Sequence, residues 1–425
     1  MKILLSAFAC GPNSGSEPGV GWNWAINGAR LGHQVHVITT SEYRNEIEEL
    51  IASGTLPEGL TFDMFMPRWI ERICNFGLKA GFENITWNLT HLLWQFALLR
   101  FVRENKSESD FDVVHHITLG GCRQPTLLYK SGMPLVVGPV GGGERTPITL
   151  RRSFPWSGQA YDLLRDAINL VAAVDPITRQ SCAQSIAYYA RTKDTVEFLP
   201  MKLRDKARIC LELGIYDNSK SNPPITRNRS PNEPVRILYA GLLTYRKGME
   251  LGLRAFADVC RRDRNVHLTM VGRGPQAQRW QQLATQLGIA DRVTWLGWVD
   301  FSDMPKVYRE HDFFLFPSLR DSGGTVVVEA LSNGLPVVCL ALGGPNEIVK
   351  SYCGRSVSVE NGDEQDVVNR LANVIDEIAS DDELLGELSQ GALKRAGDFS
   401  WPKVVGRLYG EVEKDLAKLA ESKTG

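Results

Sequence analysis

The 425 residues carry 48 lysines and arginines against 49 aspartates and glutamates, a formal charge of −1, with 43% hydrophobic and 23% charged content. That length suits two or three domains with their own cores, and the composition excludes a mostly disordered or collagen-like chain. Near-neutral charge argues against a nucleic-acid partner, which needs a basic surplus to neutralise phosphates. The cysteines, at 10, 74, 122, 182, 210, 260, 339 and 353, form no CxxC pair. That pattern is poor for a zinc site or a disulfide framework and suits a reducing compartment.

In chain order, MKILLSAFA reads as a strand entering a loop rather than a secretion signal. No stretch approaches the ~18–20 uninterrupted apolar residues of a membrane-spanning helix. A cytoplasmic, soluble protein is expected. The next segment, GPNSGSEPGVGWNWAINGAR, places Gly15, Ser16, Glu17, Gly19 and Gly21 in a loop that opens a helix, with Trp22, Ile26 and Ala29 as its apolar stripe. Glycines there let backbone approach a ligand, and Glu17 either receives a substrate hydroxyl or caps the helix. The spacing is not the G-x-G-x-x-G of dinucleotide binders.

Residues 68–103 mix Trp69, Phe76, Phe82, Trp87, Trp94, Phe96 and Phe101 with Arg68, Arg72, Lys79, Arg100 and Arg103, against Glu71 and Glu83. This suits either a core helix pair or an interfacial helix in peripheral contact with anionic lipid on the inner face of the plasma membrane. FDVVHHITLGG then ends a strand on His115 and His116. Alternation lets only one of them face a ligand, and His116 is the candidate. PLVVGPVGGGERTP sets Gly141, Gly142 and Gly143 after a buried strand, with Glu144 and Arg145 at the rim.

Residues 217–234, rich in Asn, Ser and Pro, read as a linker between two α/β halves, 1–216 and 235–400. In both halves near-continuous apolar runs alternate with helical stretches, the pattern of parallel sheets covered on both faces. The second half brings Arg246 and Lys247 in a turn before a helix, a pair of cations suited to a diphosphate. Arg273 stands between two glycines in VGRGP. The densest group is FPSLRDSGGTVVVEALSNGLPVV, where Asp321, Ser322, Gly323 and Gly324 precede a helix starting near Thr325 with Glu329 one turn inside it. A carboxylate there can accept two hydrogen bonds from a vicinal diol such as a ribose. The alternative makes Asp321 an N-cap and Glu329 a surface ion-pair partner. Residues 401–425 form an amphipathic helix with Val405, Leu408, Val412, Leu416 and Leu419 on one stripe.

These motifs together resemble the retaining glycosyltransferases of family 4, the group 1 enzymes of GT-B architecture, over nearly the whole chain. The resemblance implies an α/β fold of two facing Rossmann-like domains with a cleft between them. Residues 1–216 would hold the acceptor, 235–400 the donor, and the helix from Trp401 would cross back to the first domain. The family's pair of glutamates corresponds to Asp321 and Glu329, with the first acid and turn amides on the donor sugar and the second acid on the ribose. The turn with Lys247 resembles G-R-L-x-x-x-K-G, whose cations grip the diphosphate. The loop at Gly15–Gly21 and G-P-V-G-G-G resemble a branch found in bacterial polysaccharide assembly. Three departures stand out: Asp321 replaces glutamate, Leu242 replaces arginine, and G-P-V-G-G-G stands where many members carry a histidine, for which His116 is the candidate substitute.

The implied activity is metal-independent hexosyl transfer, with retention, from a nucleoside diphosphate-sugar to a saccharide or lipid-linked saccharide in exopolysaccharide, O-antigen or glycolipid synthesis. No cofactor beyond the donor is implied. The rival reading is a catalytically degenerate scaffold that binds nucleotide-sugars as a regulatory protein.

Overall fold

A computed structural model describes residues 1–79, 83–215 and 233–424. The expected boundary at 216, nearly all of the 217–234 linker and Phe82 lie outside these residues. The chain divides into two compact units, the first made of residues 1–143, 167–212 and 401–425, the second of residues 144–166 and 213–400.

In the first unit, strands β1 (Lys2–Ala7), β2 (Gln34–Thr39), β3 (Leu60–Met64), β4 (Val113–Ile117), β5 (Leu135–Val140), β6 (Ala187–Ala190) and β7 (Ala207–Ile209) form one parallel sheet ordered β3-β2-β1-β4-β5-β6-β7. Alternation along β1 sends Ile3, Leu5 and Ala7 into one core and Leu4 and Phe8 into another, so both faces are covered. The helix Trp401–Thr424 seals the first of these, burying Trp401, Val404, Val405, Leu408, Tyr409 and Val412 beside helix Ser16–Arg30.

The second unit repeats the plan with β8 (Val235–Ala240), β9 (Val266–Val271), β10 (Val293–Gly297), β11 (Phe313–Phe316), β12 (Val337–Leu340) and β13 (Gly354–Val357) in the order β10-β9-β8-β11-β12-β13. Its pairings are likewise parallel. In each sheet the order reverses between two neighbours, β1 and β4 in the first, β8 and β11 in the second. Such a switch point is where open α/β sheets receive ligands, outside the carboxyl ends of the strands.

Residues 144–166, placed with the first half by sequence, belong to the second unit. Arg320 pairs with buried Asp162 at 2.6 Å, Arg165 donates to the Glu144 carbonyl at 2.6 Å, the Ser153 amide donates to Glu364 at 2.8 Å, and Phe154 packs on Tyr245. The helix beginning at Trp156 is inverted here: Asp162 and Arg165 are buried while Tyr161, Leu163 and Leu164 face out.

Candidate active site

In the second unit the two loops leaving the switch point come together. After β8, residues Tyr245–Lys247 form a 3-10 turn closed by Gly248 at φ 68°, from which helix Met249–Arg261 departs. A Cβ at Gly248 would lie 2.0 Å from the Pro317 carbonyl oxygen, so the glycine is what lets the β8 and β11 loops touch. The Leu319 amide donates to the Arg246 carbonyl at 2.9 Å across the same junction. Lys247 is thereby delivered to Asp321: its Nζ pairs with Asp321 Oδ2 and lies 4.8 Å from the Phe316 ring centroid. Both side chains are mostly buried, so the pair is weakly screened.

The other Asp321 oxygen accepts from the Gly323 amide at 3.3 Å, and helix Thr325–Ser332 is capped by Gly324 at φ 96° without a side-chain cap. Asp321 is therefore not the N-cap. The amides of Gly324 and Thr325 have no acceptor among the described residues, and the helix dipole adds to their pull on an anion. Glu329 sits half-buried one turn in and accepts from the Tyr308 hydroxyl at 3.0 Å. It has no ion-pair partner among the described residues, so the surface salt-bridge reading fails. Burial holds its carboxyl above the usual range, partly offset by the Tyr308 hydrogen bond. Arg246 and Arg273 are exposed beside these loops. Leu242 is also exposed, its carbonyl accepting from the Tyr239 hydroxyl at 3.0 Å. Ser322 is half-buried within the turn.

The first unit's residues fare differently. Gly19 and Gly21 serve packing: a Cβ would meet the Ser14 carbonyl oxygen at 2.0 Å and that of Ala9 at 2.2 Å. Gly15, by contrast, has open space, and Ser16 next to it takes φ 53°. Glu17 neither caps its helix nor points free. It accepts from the Leu119 amide at 2.8 Å and pairs with Arg191 at 3.2 Å, while Arg191 also pairs with buried Glu212. Gly141 exchanges backbone bonds with the β4 loop, Gly142 adopts φ 98°, and a Cβ on Gly143 would strike Thr195 Cα at 2.5 Å. Glu144 is buried in the second unit, its side chain near Gly343.

The histidines divide as alternation requires. His115 faces the core closed by the terminal helix, with Nε2 on the Gly138 carbonyl at 2.6 Å and Nδ1 on the Tyr409 hydroxyl at 3.1 Å. His116 faces the opposite core, with Nδ1 3.2 Å from Ser6 Oγ and its ring 5.9 Å from that of His91. It is fully buried, and burial holds its pKa well below the ordinary value. A side chain so enclosed cannot meet substrate directly, which corrects its reading as a catalytic residue. Sequence reasoning missed Tyr308, Arg191 and Thr118; the last is a β-branched residue at φ 62° whose Oγ1 accepts from the Ala9 amide.

Comparison with known proteins shows what this arrangement is similar to. Residues 225–395 match the glycosyl transferases group 1 model. The chain is 37% identical over 114 residues to an uncharacterized glycosyltransferase of Methanocaldococcus jannaschii, covering 27% of this chain and 29% of that relative's length. Among solved structures, the lipopolysaccharide outer core galactosyltransferase WaaB aligns at a TM-score of 0.61 with 14% identity, covering 97% of this chain and 99% of its own. Anabaena HepE, solved in complex with UDP, aligns at 0.58 with 16% identity, covering 97% and 100%. Residues 225–395, within the second unit, are thus similar to the group 1 glycosyl transferases, and the two parallel sheets have the GT-B fold of these solved structures.

Proposed function

We propose that the protein transfers a hexosyl group, with retention, from a nucleoside diphosphate-sugar bound by the second unit to a hydroxyl acceptor bound by the first. The observation that carries this reading is the convergence of Lys247, Asp321, the Gly324 and Thr325 amides and Glu329 at the β8–β11 switch point. Glu329 accepts the ribose hydroxyls, since its other oxygen has no partner among the described residues. Lys247, Arg246 and Arg273 neutralise the diphosphate. Asp321 and the turn amides hold the sugar, and Asp321 keeps Lys247 in place before the donor arrives.

In bond terms, the anomeric carbon–oxygen bond to the diphosphate breaks, the acceptor oxygen bonds to the same face, and the departing phosphate oxygen accepts the acceptor proton. Charge accumulates on the leaving diphosphate, and preorganised cations and amides stabilise it most where water is excluded. Protein cations perform that task here, so turnover should persist in EDTA. The structure of HepE with UDP supports a nucleotide donor. The likeness to WaaB, a galactosyltransferase of the lipopolysaccharide outer core, joins the loop resemblances in supporting assembly of a bacterial polysaccharide or glycolipid.

Peripheral membrane contact also belongs to this reading. Helix Arg68–Lys79 buries Ile70 and Cys74 but exposes Trp69, Ile73 and Phe76, one turn apart, beside Arg68, Arg72 and Lys79. Helix Glu83–Asn105 buries Trp94 and Leu98 and exposes Leu89, Leu92 and Phe96. The segment is thus both a core layer and an apolar, cationic surface. No described helix is long and apolar enough to cross a membrane. The test of the activity is a panel of nucleotide-sugars in which release of nucleoside diphosphate is followed with and without candidate acceptors. Nucleotide binding without turnover of any sugar donor would favour the non-catalytic scaffold instead.

A further inference from the structure

The first unit holds a cavity of about 450 Å³ lined by Asn88, Leu89, His91, Leu92, Arg123, Gln124 and Pro125. Small-ligand sites occupy roughly 300–1,000 Å³. Its walls are helix Glu83–Asn105 and the loop after β4, one of the two strands that flank the first sheet's switch point. Its lining is divided by chemistry. Asn88, Arg123 and Gln124 supply hydrogen-bonding groups, and Gln124 is fixed by donating to Asn88. Leu89 and Leu92 are 44% and 40% exposed, and Phe96 is 55% exposed further along the same helix, so the apolar rim continues onto the surface.

Arg123 is the informative residue. It is half-buried, and among the described residues its guanidinium makes a 3.4 Å contact to the Gly142 carbonyl and pairs with no carboxylate. A half-buried guanidinium with no carboxylate beside it keeps its donors available to an anion, and its planar fork matches a phosphate or carboxylate. His91 cannot supply that charge instead, because burial holds it neutral at pH 7. We infer that this cavity is the acceptor subsite and that it takes an anionic amphiphile: a phosphate-bearing saccharide headgroup on Arg123, with its apolar chain along Leu89, Leu92 and Phe96. The inference rests on the transferase reading above and gives its acceptor a chemical class.

The test is calorimetric titration of the full chain with dodecyl phosphate, inorganic phosphate and dodecyl maltoside, each below its micellar concentration. Dodecyl phosphate should bind most tightly. Arg123→Gln should weaken it about tenfold or more, the scale of a charge-assisted hydrogen bond. Leu89→Ser with Leu92→Ser should weaken dodecyl phosphate while leaving inorganic phosphate unchanged. Equal binding of inorganic and dodecyl phosphate would overturn the apolar half of the proposal, and equal binding of dodecyl maltoside the anionic half. Unchanged affinity in Arg123→Gln would overturn the site itself. UDP titrated into the same protein reports separately on the second unit, so loss of the transferase reading would register there.

Discussion

The two switch points use the same topology to opposite ends. In the first unit, the loop that follows β1 is held shut by its own contacts: Gly19 and Gly21 admit neighbouring carbonyls, and Glu17 is spent on Arg191 and the Leu119 amide. In the second, glycines such as Gly248 also bring loops together, but what they deliver is charge, with Lys247 against Asp321 and Glu329 one helical turn away. Gly323 differs from the packing glycines, since a Cβ there would make only an ordinary 3.5 Å contact with Leu213. Glycine-rich turns therefore mark close approach of backbone, and only the side chains around them say whether the approaching group is a ligand.

The contrast can be broken by substitution. The largest effect should come from Lys247→Ala, which removes a preorganised cation and should lower kcat about 100-fold or more at saturating donor. Gly21→Ala should instead act on stability, costing about 1–3 kcal/mol by urea titration because the new methyl meets the Ala9 carbonyl oxygen at 2.2 Å. A Gly21→Ala protein with wild-type stability would undo the packing explanation.

A pH series probes the first unit's core. Burial lowers His91 and His115 to about 4, below the ordinary value of 6.5, so the unfolded chain binds more protons in between. Stability should fall as pH drops from 6.5 towards 4, by up to about 1.4 kcal/mol per pH unit for each histidine, and His91→Gln should flatten that slope. The smallest stability change should follow Gly323→Ala, within about 0.5 kcal/mol, while turnover of the sugar donor declines. Matching losses of stability and turnover would move Gly323 into the packing class.

Much of this was legible in the sequence, and the residues show why. The strands around each switch point are continuous apolar runs, and Lys247, Asp321 and Glu329 stand at helix openings, so their proximity follows from topology. Strands β6, β7 and β13 are only four, three and four residues long, too short for a periodic signal. The assignment of residues 144–166 to the second unit depends on tertiary contacts such as Arg320 with Asp162, which no local pattern announces. The enclosure of His116 was hidden likewise, because alternation gives its face but not what covers that face. Tyr308, which supports Glu329 from twenty-one residues away, has no motif of its own.

The pH behaviour of Glu329 offers a milder check on the proposed donor site. Its raised pKa means that a carboxylate able to accept from ribose hydroxyls is lost at mildly acidic pH, above the ordinary carboxylate range. Nucleotide affinity should weaken there, and Glu329→Gln should remove that dependence.

The division of labour at the β8–β11 switch point is tested most directly by titrating UDP calorimetrically into Asp321→Ala and Glu329→Ala, alongside turnover of the preferred sugar donor. Glu329→Ala should weaken UDP itself, since the ribose loses its acceptor. Asp321→Ala should leave UDP affinity unchanged or higher, because Lys247 loses the carboxylate that competes with a diphosphate, while sugar transfer falls sharply. Equal losses of UDP affinity in the two variants, with no separate loss of turnover in Asp321→Ala, would contradict the account.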